Sequence, residues 1–182
     1  MAKNRMIKLL LKFSERKTEA RYKIFLASSG GFFFLVIIPV IFILAGRMAE
    51  KYIIINWPSL LSSLVIAISA PFGLFFLTWA IISLWKIGKG TPVPLVPTQK
   101  IVIVGPYKLC RNPIELGLIF YYLGIGTFFA SLTTGFIGFF LFLAVGSTYH
   151  KFMEEKELEL RFGDEYRDYK KKTPFLIPKI WK

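Results

Sequence analysis

Two stretches of this 182-residue chain run without a charged side chain for longer than a helix needs to cross a bilayer: Ile24 to Gly46 and Trp57 to Trp85. A hydrocarbon core about 30 Å thick is spanned by roughly 20 apolar residues at about 1.5 Å per residue. Each stretch is long enough. A soluble domain of this size would not combine 54% hydrophobic residues and 19 Phe with a net charge of +13. A third uncharged stretch follows Glu115 and continues to Tyr149. As one helix it would be about 50 Å long, too much for a single crossing. Ser131, Thr133, Thr134 and Gly135 interrupt it near the middle, so two short helices joined by a tight turn are expected. The predicted fold is all-α, a polytopic membrane protein with four transmembrane helices.

Lys and Arg set the orientation. Eight precede Ile24, five lie between Lys86 and Arg111, and nine follow from Lys151, whereas the opposite side carries only Arg47 and Lys51. The positive-inside rule then puts both termini and the 86–113 loop in the cytoplasm. The positive excess is answered by topology and anionic lipid headgroups, and no nucleic-acid partner is called for. The first apolar run is too long and begins too late for a cleavable signal peptide. The one cysteine, Cys110, permits no disulfide within the chain, and no Cys/His cluster points to a metal. The terminal Lys-Ile-Trp-Lys is not a prenylation signal.

The chain reads as a single membrane-embedded domain over 1–182. Residues 1–23 form a basic interfacial helix, 24–85 the first two spans, 86–113 a cytoplasmic loop, 114–150 a two-span hairpin, and 151–182 a cytoplasmic helix and tail. Pro71 and Gly73 predict a kink in the second span. Gly88, Gly90, Pro92, Pro94, Pro97, Gly105 and Pro106 crowd the loop, around a β-branched run from Ile101 to Val104. Its backbone cannot lie against lipid with its polar groups unanswered. Asn112-Pro113 reads as an N-cap followed by proline at the first helical position. The fourth span has no stop at the membrane surface, so its helix continues into the cytoplasm from Lys151 through Arg161. Phe162-Gly163 ends it, and a tail follows with Tyr166, Tyr169 and a re-docking segment, Pro174–Pro178.

Two places carry ionisable groups of interest. Glu115 opens the third span, where the helix dipole favours a carboxylate and nearby hydrocarbon penalises it. It is either a headgroup-level helix start or an acceptor facing a ligand. His150 and Glu154, four residues apart, share a helix face where membrane gives way to cytoplasm. The bland alternatives are an interfacial anchor for His150 and a solvated face for Glu154, Glu155, Glu157 and Glu159, with Glu157–Arg161 as an i,i+4 pair. Gly88-Lys-Gly-Thr91 lacks the upstream glycine of a phosphate loop. Gly124-Ile-Gly126 permits close helix packing. No Rossmann fingerprint is present, so a cofactor would be held by other means.

Three segments belong together: Gly90-Thr-Pro-Val-Pro94; Gly105-Pro-Tyr107 with Arg111-Asn-Pro113 and Gly117; and Glu154-Glu155, Leu158, Phe162-Gly163, Tyr166 and Tyr169, followed by Pro174 and Pro178. In order and spacing they resemble the isoprenylcysteine carboxyl methyltransferase and phospholipid methyltransferase superfamily of integral membrane enzymes. The resemblance covers roughly residues 86–178. It implies S-adenosylmethionine-dependent methyl transfer to a lipid-like or isoprenoid substrate, with the cofactor held by the cytoplasmic loop and helix ends. By position it implicates Gln99, Lys100, Ile101, Val102, Tyr107, Asn112, Pro113, Ile114, Glu115 and Glu154 in cofactor binding. It sets His150 where the family has an arginine that meets the substrate. Asn112 stands in place of the histidine of Arg-His-Pro, and Glu115 in place of the aromatic residue two positions after its proline. These departures leave the acceptor open among a prenylcysteine carboxylate, a phospholipid amine, an isoprenoid and another small amphiphile. A carboxylate is ionised at neutral pH, whereas an amine must first lose a proton, and His150 or Glu115 would be the catalytic base. Two other readings stand beside this one: an NADPH-dependent enzyme like the membrane sterol reductases, and a non-enzymatic four-helix membrane protein. A channel or carrier would need paired broken helices and midplane polar residues that the chain lacks.

Overall fold

The computed structural model describes residues 19–52, 55–93 and 96–179, and every regular element among them is helical. Most of the expected interfacial helix, residues 1–18, lies outside the described residues, as do Pro94 and the last three residues. In chain order the helices are α1 (Arg21–Ala49), α2 (Ser59–Gly88), α3 (Pro106–Leu109), α4 (Pro113–Phe129), α5 (Leu132–Phe162) and α6 (Asp164–Lys172). Helices α1, α2 and α5, of 29, 30 and 31 residues, are long and apolar enough to cross a membrane. Helix α4 is apolar but shorter, at 17 residues. The chain is an α-helical membrane protein.

The uncharged stretch after Glu115 divides at Ala130–Ser131, and Leu132 opens α5. Helix α2 runs uninterrupted through Pro71, so the expected kink is not a break. Beyond Gly163 the chain forms a nine-residue helix, α6, where the sequence offered only a tail. Its first turn carries Asp164 and Glu165 and its last Lys170, Lys171 and Lys172, each charge complementing the helix dipole. Gly163 separates α5 from α6 with φ 54° and ψ −125°, a backbone conformation that side-chain-bearing residues avoid.

The chain forms two compact units. One, here the apolar unit, holds residues 31–77 and 114–146; the other, the polar unit, holds the described residues of 1–30, 78–113 and 147–182. In the apolar unit Leu77, Leu118 and Tyr122 form a buried cluster, packed by Leu35, Ile38, Phe42 and Phe142. Helix α1 widens into a π-helical turn at Phe33–Ile37. Such a turn disturbs the regular ladder, and a membrane interior offers no water to answer a displaced carbonyl. Tyr122 donates to the carbonyl of Phe34 at 2.8 Å and Tyr121 to that of Leu35 at 2.9 Å. Two tyrosines of α4 thus serve the carbonyls of this turn.

Helices α2 and α4 approach through glycine. A Cβ on Gly117 would lie 2.7 Å from Leu77 Cγ, and one on Gly73 would lie 2.5 Å from the backbone nitrogen of Tyr121. Gly124 packs in the same way on Ala70, and Gly126 on Gly135. The α4–α5 turn is fastened to the end of α1. Arg47 donates to the Phe129 carbonyl at 2.7 Å, and Glu50 accepts from Ser131 and from Thr134. Trp57 donates to Thr133 Oγ1 at 2.9 Å.

Candidate functional site

The Gly/Pro-rich loop of the polar unit has no regular structure before α3 among the described residues, yet several of its backbone groups are partnered. Helix α2 ends in a second π turn, Leu84–Gly88, capped by Lys89 in the left-handed region at φ 54°. Thr91 N donates to the Val96 carbonyl at 2.9 Å, and Gln99 N donates to the Gly88 carbonyl at 2.6 Å. A Cβ on Gly90 would collide with the backbone of Thr98, so the chain doubles back closely only because residue 90 is glycine. Gly105, at φ 63°, turns the chain into α3, and a Cβ there would lie 3.3 Å from Trp79 Nε1.

Arg111 gathers four segments. One amino group donates to the carbonyls of Lys170 (3.0 Å) and Thr173 (2.6 Å), at the C-terminal end of α6. The other donates to Glu155 Oε1 at 2.6 Å, with 11% and 7% of the two side chains exposed. Lys170 reaches the second oxygen of Glu155 at 2.6 Å and Glu159 at 3.0 Å. The tail from Pro174 docks along the α3–α4 junction. Arg111 N donates to the Pro174 carbonyl, and both the backbone and side-chain nitrogens of Asn112 donate to the Phe175 carbonyl. Lys179 N donates to Leu109 O at 2.9 Å.

Arg161 makes a second tie. It pairs with Glu157 at 2.7 Å and donates to the carbonyl of Thr98, joining the α5 extension to the loop. The acidic cluster of α5 is therefore not the solvated face its composition allowed. Glu155 and Glu157 are buried, each with a cationic partner, because Arg111 and Arg161 come to meet them.

Tyr107 is buried on α3, and its carbonyl accepts from the Tyr169 hydroxyl at 2.6 Å. Burial pushes its phenol well above the usual range, and the Glu154 carboxylate pushes it further. That influence places Tyr107 and Glu154 in one electrostatic neighbourhood. Burial raises Tyr166 and Tyr169 as well, with Glu155 adding for Tyr166 and Cys110 for Tyr169. These phenols stay neutral at physiological pH and keep a proton to donate. His150 and Glu154 bracket a third π turn, His150–Glu154, in which the Glu155 N–H reaches the His150 carbonyl. Nδ1 of His150 is bonded to Oε2 of Glu154.

The predicted site residues divide between the two units. Gln99 and Lys100 (exposed), Ile101 (half-buried), Val102, Tyr107 and Pro113 (buried), and Asn112, His150 and Glu154 (half-buried) belong to the polar unit. Ile114 and Glu115 belong to the apolar unit. There Glu115 is fully buried against Gly146, where an added Cβ would lie 3.2 Å from its Oε1. The side-chain nitrogen of Asn112 donates to the docked tail at the Phe175 carbonyl. Arg111, Glu155, Tyr169 and Lys170 were missed as a network. Their partners lie 44 residues and more away in the chain or on a helix that the sequence left as tail, beyond the reach of periodicity. No metal-binding group of His, Cys, Asp or Glu occurs among the described residues. Compared with known proteins, the chain matches no family model and no curated sequence.

Proposed function

We propose that this chain is an S-adenosylmethionine-dependent methyltransferase of the isoprenylcysteine carboxyl and phospholipid methyltransferase type. It spans the membrane four times, keeps both termini and the 86–113 loop in the cytoplasm, and acts there on a lipid-like substrate. One observation carries the reading: three segments distant in sequence, which together resemble the family's motifs, bring their described residues into one compact unit, Gly117 alone falling in the apolar unit. Within it Arg161 joins α5 to the loop at Thr98, Arg111 joins the α3–α4 junction to Glu155, and Tyr169 holds Tyr107.

The donors present suit the cofactor. Glu154 keeps 37% of its side chain exposed beside its bond to His150, and a carboxylate so placed suits ribose hydroxyls or an amino group. Tyr107, a neutral phenol buried on α3, is the residue that the resemblance sets near adenine or a cation. When bound, S-adenosylmethionine supplies an electrophilic methyl group on a sulfonium. The protein's share is placement, because reacting groups held about 3–3.5 Å apart react far faster than free ones. Arg111 and Arg161 hold the elements that carry Tyr107 and Glu154, so they position rather than react. The lipid tail stays in hydrocarbon while its head reaches the membrane surface.

The test uses the full chain in lipid vesicles with methyl-labelled S-adenosylmethionine and a total lipid extract. The reading expects label in the extracted lipid, lost in Glu154→Ala. A protein that labels no lipid, and is stabilised by NADPH instead, is a reductase and overturns it. One that binds neither cofactor is a non-enzymatic membrane protein and overturns it equally.

A further inference from the structure

Tyr22-Lys23 stands at the start of α1 and Trp85-Lys86 near the end of α2, so each helix sets an aromatic ring beside an ammonium group in the polar unit. The two ends lie side by side. Lys23 Nζ donates to the carbonyl of Lys89 at 3.3 Å, and a Cβ on Gly30 would lie 2.7 Å from Val93 Cγ2. Tyr22 and Trp85 are exposed, and so are Phe25 and Ile82, about one turn further into each span. Along both helices an apolar surface thus gives way to exposed aromatic rings and then to cations. A phospholipid presents the matching order in its acyl chains, glycerol and phosphate.

Lys89 adds a third cation at a cost to the backbone. It caps α2 at φ 54° and is the one described residue other than glycine with a positive φ. Glycine takes that conformation freely and is what helices usually place there, whereas a lysine holds it against the crowding of its own Cβ. The glycines on either side are fixed by packing, since a Cβ on Gly88 would meet Thr98 Cγ2 at 2.7 Å and one on Gly90 would meet Thr98 Cα at 2.4 Å. Lys89 has an exposed side chain, so strain is kept here with no burial to explain it. No carboxylate answers these cations. None of the ion pairs among the described residues reaches Lys23, Lys86 or Lys89, and Glu19, one turn before Lys23, is exposed and pairs with none of them.

We infer that the paired ends of α1 and α2 form a binding surface for an anionic phospholipid. Lys23, Lys86 and Lys89 surround its phosphate, Tyr22 and Trp85 lie at its glycerol, and Phe25 and Ile82 lie along its acyl chains. Lysines suit phosphate as point charges, and an anion among them removes their mutual repulsion. The same lysines repel the ammonium of a zwitterionic headgroup, so the surface selects a lipid whose head carries no cation, such as phosphatidylglycerol. The occupant is a lipid rather than a soluble phosphate because the cations stand at the ends of spans whose apolar faces continue directly below them. The inference stands on these helix ends alone and is independent of the methyltransferase reading.

The test places the full chain in phosphatidylcholine vesicles that contain, at equal mole fraction, lipid with brominated acyl chains bearing either a phosphatidylglycerol or a phosphatidylcholine head. Bromine quenches only nearby indole fluorescence. The wild type is expected to prefer phosphatidylglycerol about tenfold, and the excess quenching is expected to vanish in Trp85→Phe, which locates the site. The triple variant Lys23→Gln, Lys86→Gln, Lys89→Gln is expected to lose the preference. A second triple variant, Lys108→Gln, Lys156→Gln, Lys179→Gln, removes the same charge from other exposed lysines of the polar unit and is expected to keep it. Lys89→Gly separates binding from folding: it relieves the backbone and is expected to raise the unfolding midpoint while lowering the preference. Equal quenching by the two lipids overturns the inference. So does a preference that survives the first triple variant or Lys89→Gly, one that falls as far in the second triple variant, or displacement of the lipid by glycerol phosphate in solution.

Discussion

Arg111 sits almost wholly out of water against Glu155, and two backbone carbonyls at the end of α6 accept from its other amino group. Removing one partner of a buried pair leaves the other charge stranded, which costs about 3–5 kcal/mol. Lys170 also holds Glu155, so the loss falls toward the lower end of that range. Arg111→Ala is expected to lower the thermal unfolding midpoint in detergent clearly, with Arg111→Lys restoring only part, because an ammonium cannot reproduce the forked contacts. An unchanged midpoint in Arg111→Ala would mean that the ties to α5 and α6 carry no weight. The sequence showed Arg111 within Arg-Asn-Pro but not its partners. The Glu157–Arg161 pair was legible, since four residues on a helix face one another; its burial was not, because that depends on the loop at Thr98.

Helix α5 brings the membrane part of the chain and the candidate site onto one element. Its apolar portion, the absence of a stop near Tyr149 and its end at Phe162-Gly163 were all readable from composition and a helix terminator. The π turn at His150–Glu154 was not, for no simple residue pattern specifies one. Helix α6 escaped notice because Asp164–Lys172 has too little apolar content to declare a helix by periodicity. Gly163 connects the helix bearing Glu154 to the helix bearing Tyr169. A Cβ there would meet nothing within 4 Å, so any penalty is backbone strain alone. Gly163→Ala is expected to cost about 1–3 kcal/mol, read as a lower unfolding midpoint, and to weaken S-adenosylhomocysteine binding by tilting α6. A variant as stable as wild type would show that the backbone relaxes there without strain.

On the scale of the whole chain, the spanning helices were the most legible feature, since uncharged length is a requirement of hydrocarbon and leaves little choice. The glycine contacts between α2 and α4 were legible only as composition; which surfaces meet depends on Leu77, Tyr121 and Ala70 across the interface. The division into a polar and an apolar unit was not read at all, because it joins residues 78–113 with 147–182 across an intervening hairpin. That joining is what turns scattered motifs into a candidate cofactor site. Calorimetry of the purified full chain with S-adenosylhomocysteine tests it most directly, comparing wild type with Glu154→Ala and with Glu154→Gln as a control for folding. Measurable binding by wild type, lost in Glu154→Ala and weakened in a folded Glu154→Gln, is the result the account predicts. Heat of binding absent in wild type, or undiminished in both variants, would contradict it.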